Sequence, residues 1–202
     1  KNYPKRIKNT LHSVIRDMAK HPEDFCRCPE KDFTRNRKLP FEKLLTLLVK
    51  MGGHSLRDEM LDCLDFKELP PSVSALVQQR SKLLPEALEY LFHEFTSRCQ
   101  KAKMYKGYRL LAADGSDLQF TANLNDPLSY FPGVNGQKPY SILHLNALYD
   151  LNSNLYLDAV VQKRRAANEN AALVSMVDRS DIHEPVIITA DRGYESYNTL
   201  EH

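Results

Sequence analysis

The stretch Pro185-Val186-Ile187-Ile188-Thr189-Ala190-Asp191 decides the fold. A proline introduces an apolar, β-branched run with no polar alternation, which reads as a buried-type strand ending at Asp191. Immediately upstream, Asn168 or Glu169 begins a helix through Arg179, with Ala172, Leu173, Met176 and Val177 facing inward. Before that helix, Ile142 to Tyr149 and Leu155 to Gln162 are strand-like. They flank Asp150-Leu151-Asn152-Ser153-Asn154, a loop of hairpin length and chemistry. Further out, Tyr108 to Ala113 is a short apolar strand, and Asp114-Gly115-Ser116-Asp117 reads as the turn after it. Thr121 to Tyr140 carries Pro127, Pro132, Gly133, Gly136 and Pro139 and reads as an irregular insertion.

The order is strand, strand, strand, helix, strand. Three antiparallel strands followed by a helical crossover form a mixed sheet, in which the last strand can lie parallel to the first. Asp114 and Asp191 would then stand at the same carboxyl edge of neighbouring strands. Two carboxylates held close together repel, and a divalent cation between them relieves that repulsion. Taken singly, each acid is an ordinary turn former or helix cap. Both readings stand on these residues alone.

Residues 1–110 have a different period. Ile7, Leu11, Val14, Ile15 and Met18 form one apolar stripe, and Pro22 to Leu39 is a polar connector. Pro40 opens a second helix with Leu44, Leu45, Leu48 and Met51, which Gly52-Gly53 stops. Ser55-Leu56-Arg57-Asp58 resembles a capping box, starting a helix with Leu56, Met60, Leu61 and Leu64 inward. After Pro70-Pro71, Ser72 or Ser74 caps a short helix. A longer one from Pro85 to Cys99 sets Leu88, Leu91, Phe92 and Phe95 on one side.

Short helices broken by Gly-Gly and Pro-Pro fit a helical DNA-binding module. Its best reading face is Ser74 to Leu83, where Gln78, Gln79, Arg80 and Lys82 are expected to face solvent. Glutamine can read adenine edges, and arginine or lysine can take guanine or phosphate. A plain amphipathic helix with a solvated polar face explains the same spacing.

Charge divides the 202 residues the same way. Residues 1–110 hold 22 basic and 14 acidic side chains, a net of +8, and residues 111–202 hold 6 and 12, a net of −6. A basic half suits a polyanion, and an acidic half can hold cations. Hydrophobic residues make up 42% and charged residues 27%, ordinary globular composition that argues against disorder. No apolar run approaches the roughly 20 residues of a membrane span, and no charged-then-apolar leader opens the chain. Cys26, Cys28, Cys63 and Cys99 lack zinc-knuckle spacing, so reduced thiols in a cytoplasmic protein are the simpler account.

At this point the residues resemble a family. Leu110 to Ser116 is similar to the first-aspartate strand of the IS4-type (insertion-sequence-four) DDE transposases, and Ile188-Thr189-Ala190-Asp191-Arg192-Gly193-Tyr194 to their second-aspartate strand. His144 to Asp150 and Asn168 to Ala172 resemble the middle strand and the helix start. Phe33 to Pro40 and Ser74 to Leu83 resemble the amino-terminal region.

The resemblance implies an α+β protein: a helical DNA-binding region over 1–105, then the first part of a ribonuclease-H-like mixed-sheet catalytic core over 106–202, incomplete at its carboxyl end. It implies binding to terminal inverted repeats, with double-stranded DNA as element end and target, and a homodimer on paired ends. It also implies two Mg²⁺ or Mn²⁺ ions in the complete enzyme and cytoplasmic, nucleoid-associated work with no membrane. Asp114 is carried over as the first acid, with Asp117 as its fallback, and Asp191 as the second. The third acid, a glutamate in a Tyr…Arg…Glu…Lys signature, is not among these residues. Glu195 and Glu201 lie too close to Asp191 to take its place. The chain, which opens on Lys1, is therefore expected to be the amino-terminal portion of a transposase and inactive by itself. Lys163, Arg164 and Arg165 are expected either to clamp DNA phosphates or to form a solvated basic corner. Arg192 would neutralise a phosphate or steady Asp191. A DNA-binding remnant or repressor of transposition, and a metal-dependent nuclease on the same scaffold, are the rival expectations.

Overall fold

A computed structural model describes residues 3–35, 37–63, 69–99, 103–134 and 136–196. The chain divides into two compact units, Lys1–Cys99 and Gln100–His202. Together they form a mixed α+β protein with six α-helices and one five-stranded sheet among the described residues.

The first unit is helical: α1 (Tyr3–Met18), α2 (Phe41–Lys50), α3 (Leu56–Cys63), α4 (Val73–Arg80) and α5 (Glu86–Cys99). Val14, Ile15 and Met18 of α1 meet Leu44, Leu45 and Leu47 of α2 in one core, to which Met60, Leu76, Leu83, Ala87 and Leu91 add. The expected starts hold. Ser55 Oγ accepts from the Asp58 amide and donates to the Asp58 carboxylate, and Ser72 Oγ accepts from the Ala75 amide. Leu64 lies outside the described residues.

Three expectations need correction. Leu88 is exposed, because α5 turns Ala87, Leu91, Thr96 and Cys99 inward instead. Gln79 is buried at 8% exposure, not solvent-facing: it lies three residues from Leu76 on the inward stripe of α4. The polar connector is also more ordered than its composition implies. Its Cys26 bridges Leu83, with the Arg27 amide on the Lys82 carbonyl at 2.8 Å and the Leu84 amide on the Phe25 carbonyl at 3.0 Å. Phe25 and Phe33 then pack on Phe41. All four cysteines are free thiols.

The second unit carries the sheet: β1 (Arg109–Thr121), β2 (Tyr130–Phe131), β3 (Tyr140–Asp150), β4 (Leu155–Lys163) and β5 (Val186–Thr189), with α6 (Glu169–Asp178) between β4 and β5. The strand order is β2-β3-β1-β5, with β4 also on β3. β1 and β4 pair antiparallel with β3, and β5 pairs parallel with β1 as expected. α6 covers one face through Ala172, Leu173 and Met176, against Leu111, Ala113, Leu148 and Leu157. Asn168 caps α6, its Oδ1 accepting from the Ala171 amide at 3.0 Å.

Two sequence expectations change here. Asp114 to Asp117 is not a turn: β1 runs on to Thr121, because the partner strand β3 is long enough to pair it through Thr121↔Tyr140. Pairing by a neighbour outweighs the local turn propensity of Asp-Gly-Ser. Nor is β5 buried. It ends the strand order, and Ile187 and Ile188 are 44% and 39% exposed. Its β-branched run gives a strand, but burial needs cover on both faces, and α6 lies on one.

Candidate functional site

The parallel register Arg109↔Val186 to Ala112↔Thr189 places Asp114 and Asp191 each two residues beyond the last pair, but not at one shared strand end as expected: Asp114 lies within β1, which runs on to Thr121, and Asp191 lies just past the end of β5. The Asp114 carboxylate accepts from the Gly115 amide at 2.8 Å. Asp191 caps the 3-10 turn Arg192–Tyr194, its Oδ1 accepting from the Gly193 amide at 2.7 Å. Both acids are exposed, and neither has a cation partner among the described residues. Asp117 differs. It binds His144 Nδ1 at 2.6 Å and Arg164 Nε at 3.0 Å, and these partners hold its carboxyl below the usual aspartate range, His144 foremost. An acid already neutralised by two partners is the weaker candidate for holding a cation, which favours Asp114 over Asp117.

Around these acids lies a buried polar network. His144, directly opposite Asp117 across β1 and β3, points its Nε2 to within 3.0 Å of Glu169 Oε1, an ion-pair distance off the hydrogen-bonding direction. Gly115 makes room for that ring: a Cβ there would stand 2.6 Å from His144 Nε2. Next along β3, Asn146 Nδ2 donates to Gln162 Oε1, which also accepts from the Asn168 amide ahead of α6. Tyr194 is buried, and its hydroxyl is pushed up to about 12, first by burial and then by the negative charges of Glu169, Asp114 and Asp191. Among the described residues, four buried side-chain N or O atoms lack a hydrogen-bond partner. Three of them, His144 Nε2, Asn146 Oδ1 and Tyr194 Oη, belong to this corner.

Among the described residues no group of three His, Cys, Asp or Glu side chains is arranged to hold a metal ion. The donor set nevertheless fits a divalent cation at two points. Asp114 and Asp191 offer hard carboxylate oxygens, the donor type that suits a divalent cation, with no cation partner among the described residues.

The basic residues divide by what they already touch. Lys163 pairs with Asp126 at 2.9 Å, Arg164 with Asp117, and Arg165 donates to the Tyr130 carbonyl and lies over the Phe131 ring at 4.5 Å. All three are engaged within the unit. Arg192 is exposed, with no partner among the described residues. In the first unit Gln78 and Arg80 are exposed. Lys82 is half-buried, 3.8 Å from Asp32 and over the Phe33 ring, and Gln79 points inward.

Sequence reasoning missed His144, Glu169 and Tyr194 as members of one site. The available signal was a pair of polar residues, His144 and Asn146, at alternate positions inside an apolar strand, which places both on the same sheet face.

Residues 105–202 match the family model of the transposase DDE domain. That domain is the polynucleotidyl transferase part of transposases, whose substrate is DNA and whose members generally use divalent metal ions. The match covers the whole sheet with Asp114 and Asp191, and the mixed α+β architecture is compatible with it. No curated protein and no solved structure matches the chain. No helix among the described residues is long and apolar enough to cross a membrane.

Proposed function

We propose that this chain is the DNA-binding and first catalytic part of an IS4-type insertion-sequence transposase, which binds terminal inverted repeats and cuts and joins DNA. The observation that carries the reading is the parallel β1–β5 pairing, which sets Asp114 and Asp191 at matching positions, each two residues past the last pair of adjacent strands, within the segment matching the transposase DDE domain.

Asp114 and Asp191 would hold Mg²⁺ or Mn²⁺, which supplies Lewis-acid activation of a water or a DNA 3′-hydroxyl and charge stabilisation at the leaving oxygen. The two carboxylates fix where the scissile phosphate can sit. Attack forms one P–O bond and breaks another, with the leaving 3′-oxygen taking up a proton. Arg192, exposed and unpaired beside Asp191, neutralises phosphate charge at the same edge. The basic first unit supplies non-specific affinity, with Gln78, Arg80 and Lys82 nearest to a reading face on α4.

With two of the family's three acids assigned, these 202 residues alone bind DNA and do not cut it. In the complete enzyme, Asp114→Ala or Asp191→Ala abolishes Mg²⁺- or Mn²⁺-dependent nicking of end-containing DNA while DNA binding persists in a gel-shift assay. Residual strand transfer in either variant contradicts the assignment. Binding without any metal-dependent cleavage by the complete, unsubstituted protein leaves the repressor reading in its place.

A further inference from the structure

Gln79 is the polar residue of α4 that the proposed function leaves unused. It is buried at 8% exposure, and its Oε1 has no hydrogen-bond partner among the described residues. Burying an amide without its bonds costs free energy, so an unbonded one facing a cavity marks a place for a ligand. Gln79 lines a cleft of about 580 Å³ between α4 and the polar connector, the size of a small-molecule site. A second hollow, of about 410 Å³, lies against the same Gln79, Arg37, Leu39 and Lys82.

The larger cleft is cationic. Arg37 and Lys38 line it from the connector and Lys82 from the end of α4, with no carboxylate on its walls among the described residues. Lys82 stands 3.8 Å from Asp32, a loose pair that leaves its ammonium donors for a second anion. Ser72, which caps α4, lines the same cleft, so the positive end of the helix dipole adds to the field there. The connector wall is pinned. Phe33 is held at φ 56, a left-handed conformation unfavourable for a bulky residue, with its ring edge-on to Phe41. The amide and Nε of Arg27 donate to the Lys82 and Ser81 carbonyls at 2.8 and 2.9 Å and tie the connector to the end of α4.

We propose that this cleft holds one unpaired nucleotide of a DNA strand, its phosphate on Arg37, Lys38 and Lys82 and its base edge on the Gln79 amide. The inference rests on the DNA-binding reading above and adds a contact that a duplex facing Gln78 and Arg80 does not make. A glutamine amide carries an acceptor and a donor side by side, the pattern that matches an adenine edge. Its last side-chain bond turns easily enough to present both to the cleft. A base pair inside a duplex is too large for a cavity of this volume. The nucleotide is therefore unpaired, in a single-stranded tail or swung out of the stack. Cations at the rim and an amide at the floor fit a ligand that is charged at one end and carries a hydrogen-bonding edge at the other.

The test is fluorescence anisotropy of the full 202-residue chain on three labelled duplexes of one sequence: blunt, with a single-stranded adenine tail, and with the same tail made abasic. The parent binds the adenine tail about fivefold or more tighter than the abasic one, as a single bidentate base contact gives. Gln79→Met, which keeps shape and removes the amide, binds the two tails equally. It melts at the parent's temperature or above, because no unbonded amide is then buried, whereas a purely structural Gln79 would lower that temperature on replacement. Arg37→Ala, at an exposed connector residue, serves if Gln79→Met does not fold. It lowers the salt slope on both tailed duplexes by about 0.7, and an unchanged slope overturns the phosphate assignment. If the parent binds blunt DNA but does not distinguish the two tails, or Gln79→Met keeps the preference, this inference is overturned and the DNA-binding reading stands. If no duplex binds, both fall. If free dAMP competes as strongly as the adenine tail, the cleft takes a free nucleotide and the strand assignment is overturned.

Discussion

At the scale of single residues, Gly115 shows how closely this sheet is fitted around its polar interior. The nearest atoms to an added Cβ are His144 Nε2 at 2.6 Å and Cε1 at 3.0 Å, followed by Asn146 Oδ1 at 3.3 Å. Neither can withdraw easily, since His144 is held by Asp117 and Glu169 and Asn146 is held by Gln162. Gly115→Ala is therefore expected to destabilise the fold by about 1–3 kcal/mol through overpacking, read as a lower urea midpoint at unchanged slope. A melting curve unchanged from the parent would show that the ring is free to move. Gly115 reads in the sequence as part of a turn, whereas the requirement for glycine comes from a side chain 29 positions away, packed across a neighbouring strand.

Two long-range ion pairs set the stability of individual elements. Arg109, first residue of β1, meets Asp150 at the end of β3 at 2.8 Å, with the two residues 2% and 0% exposed. The same carboxylate accepts from the amides of Asn152 and Ser153 and so closes the β3–β4 hairpin. Arg109→Met leaves that carboxylate buried without its cation and is expected to cost about 3–5 kcal/mol, measured by urea unfolding. Adding Asp150→Leu should return only part of it, since the hairpin amides then lose their acceptor. In the helical unit, Asp17 of α1 binds Lys20 at 2.7 Å and Arg98 of α5 at 2.7 Å. Lys20 first and Arg98 second hold its carboxyl at about 2, below its ordinary 3.8. A depressed acid stabilises the fold above its unfolded-state value and loses that contribution as pH falls through the folded one. The melting temperature of Asp17→Asn should thus lie below the parent's near neutral pH, with the gap closing between about pH 4 and pH 2. A gap that stays constant over that window would remove the pair from the account. The elements themselves were largely legible. Helix starts at Ser55, Ser72 and Asn168 and the loop from Asp150 to Asn154 are written in local chemistry. What was not legible depends on partners distant in sequence: β1 extends past Asp114 because β3 pairs it, and β5 is exposed because of its place in the strand order. The same reason separates the site residues. Asp114 and Asp191 follow recognisable strands, whereas His144, Glu169 and Tyr194 meet only once register and crossover are set.

Over the whole molecule, the proposed function turns the charge asymmetry between the halves into a quantitative expectation for DNA binding. Affinity that comes from phosphate neutralisation falls with salt in proportion to the cations engaged, each contributing about 0.9 to the slope of log affinity against log salt on duplex DNA. Not every basic residue is available for that. Lys163, Arg164 and Arg165 already serve Asp126, Asp117 and the Tyr130 carbonyl, and releasing them would expose those partners unpaired. Arg80 and Arg192 are exposed and carry no such debt among the described residues. Under the proposed function, Arg80→Ala and Arg192→Ala should each lower the salt slope by about one, with a uniform loss of affinity across DNA sequences. Lys163→Ala should change the slope by less and reduce stability instead. Gln78→Ala should leave the slope alone and alter the preference between sequences, since an uncharged side chain releases no counterion and acts through base edges. Titrations of the full chain against end-containing and unrelated duplexes, at several salt concentrations, separate these effects. A Lys163→Ala slope change equal to that of Arg80→Ala would mean that the Asp126 pair opens on binding, and the basic turn after β4 would then join the DNA-contacting surface.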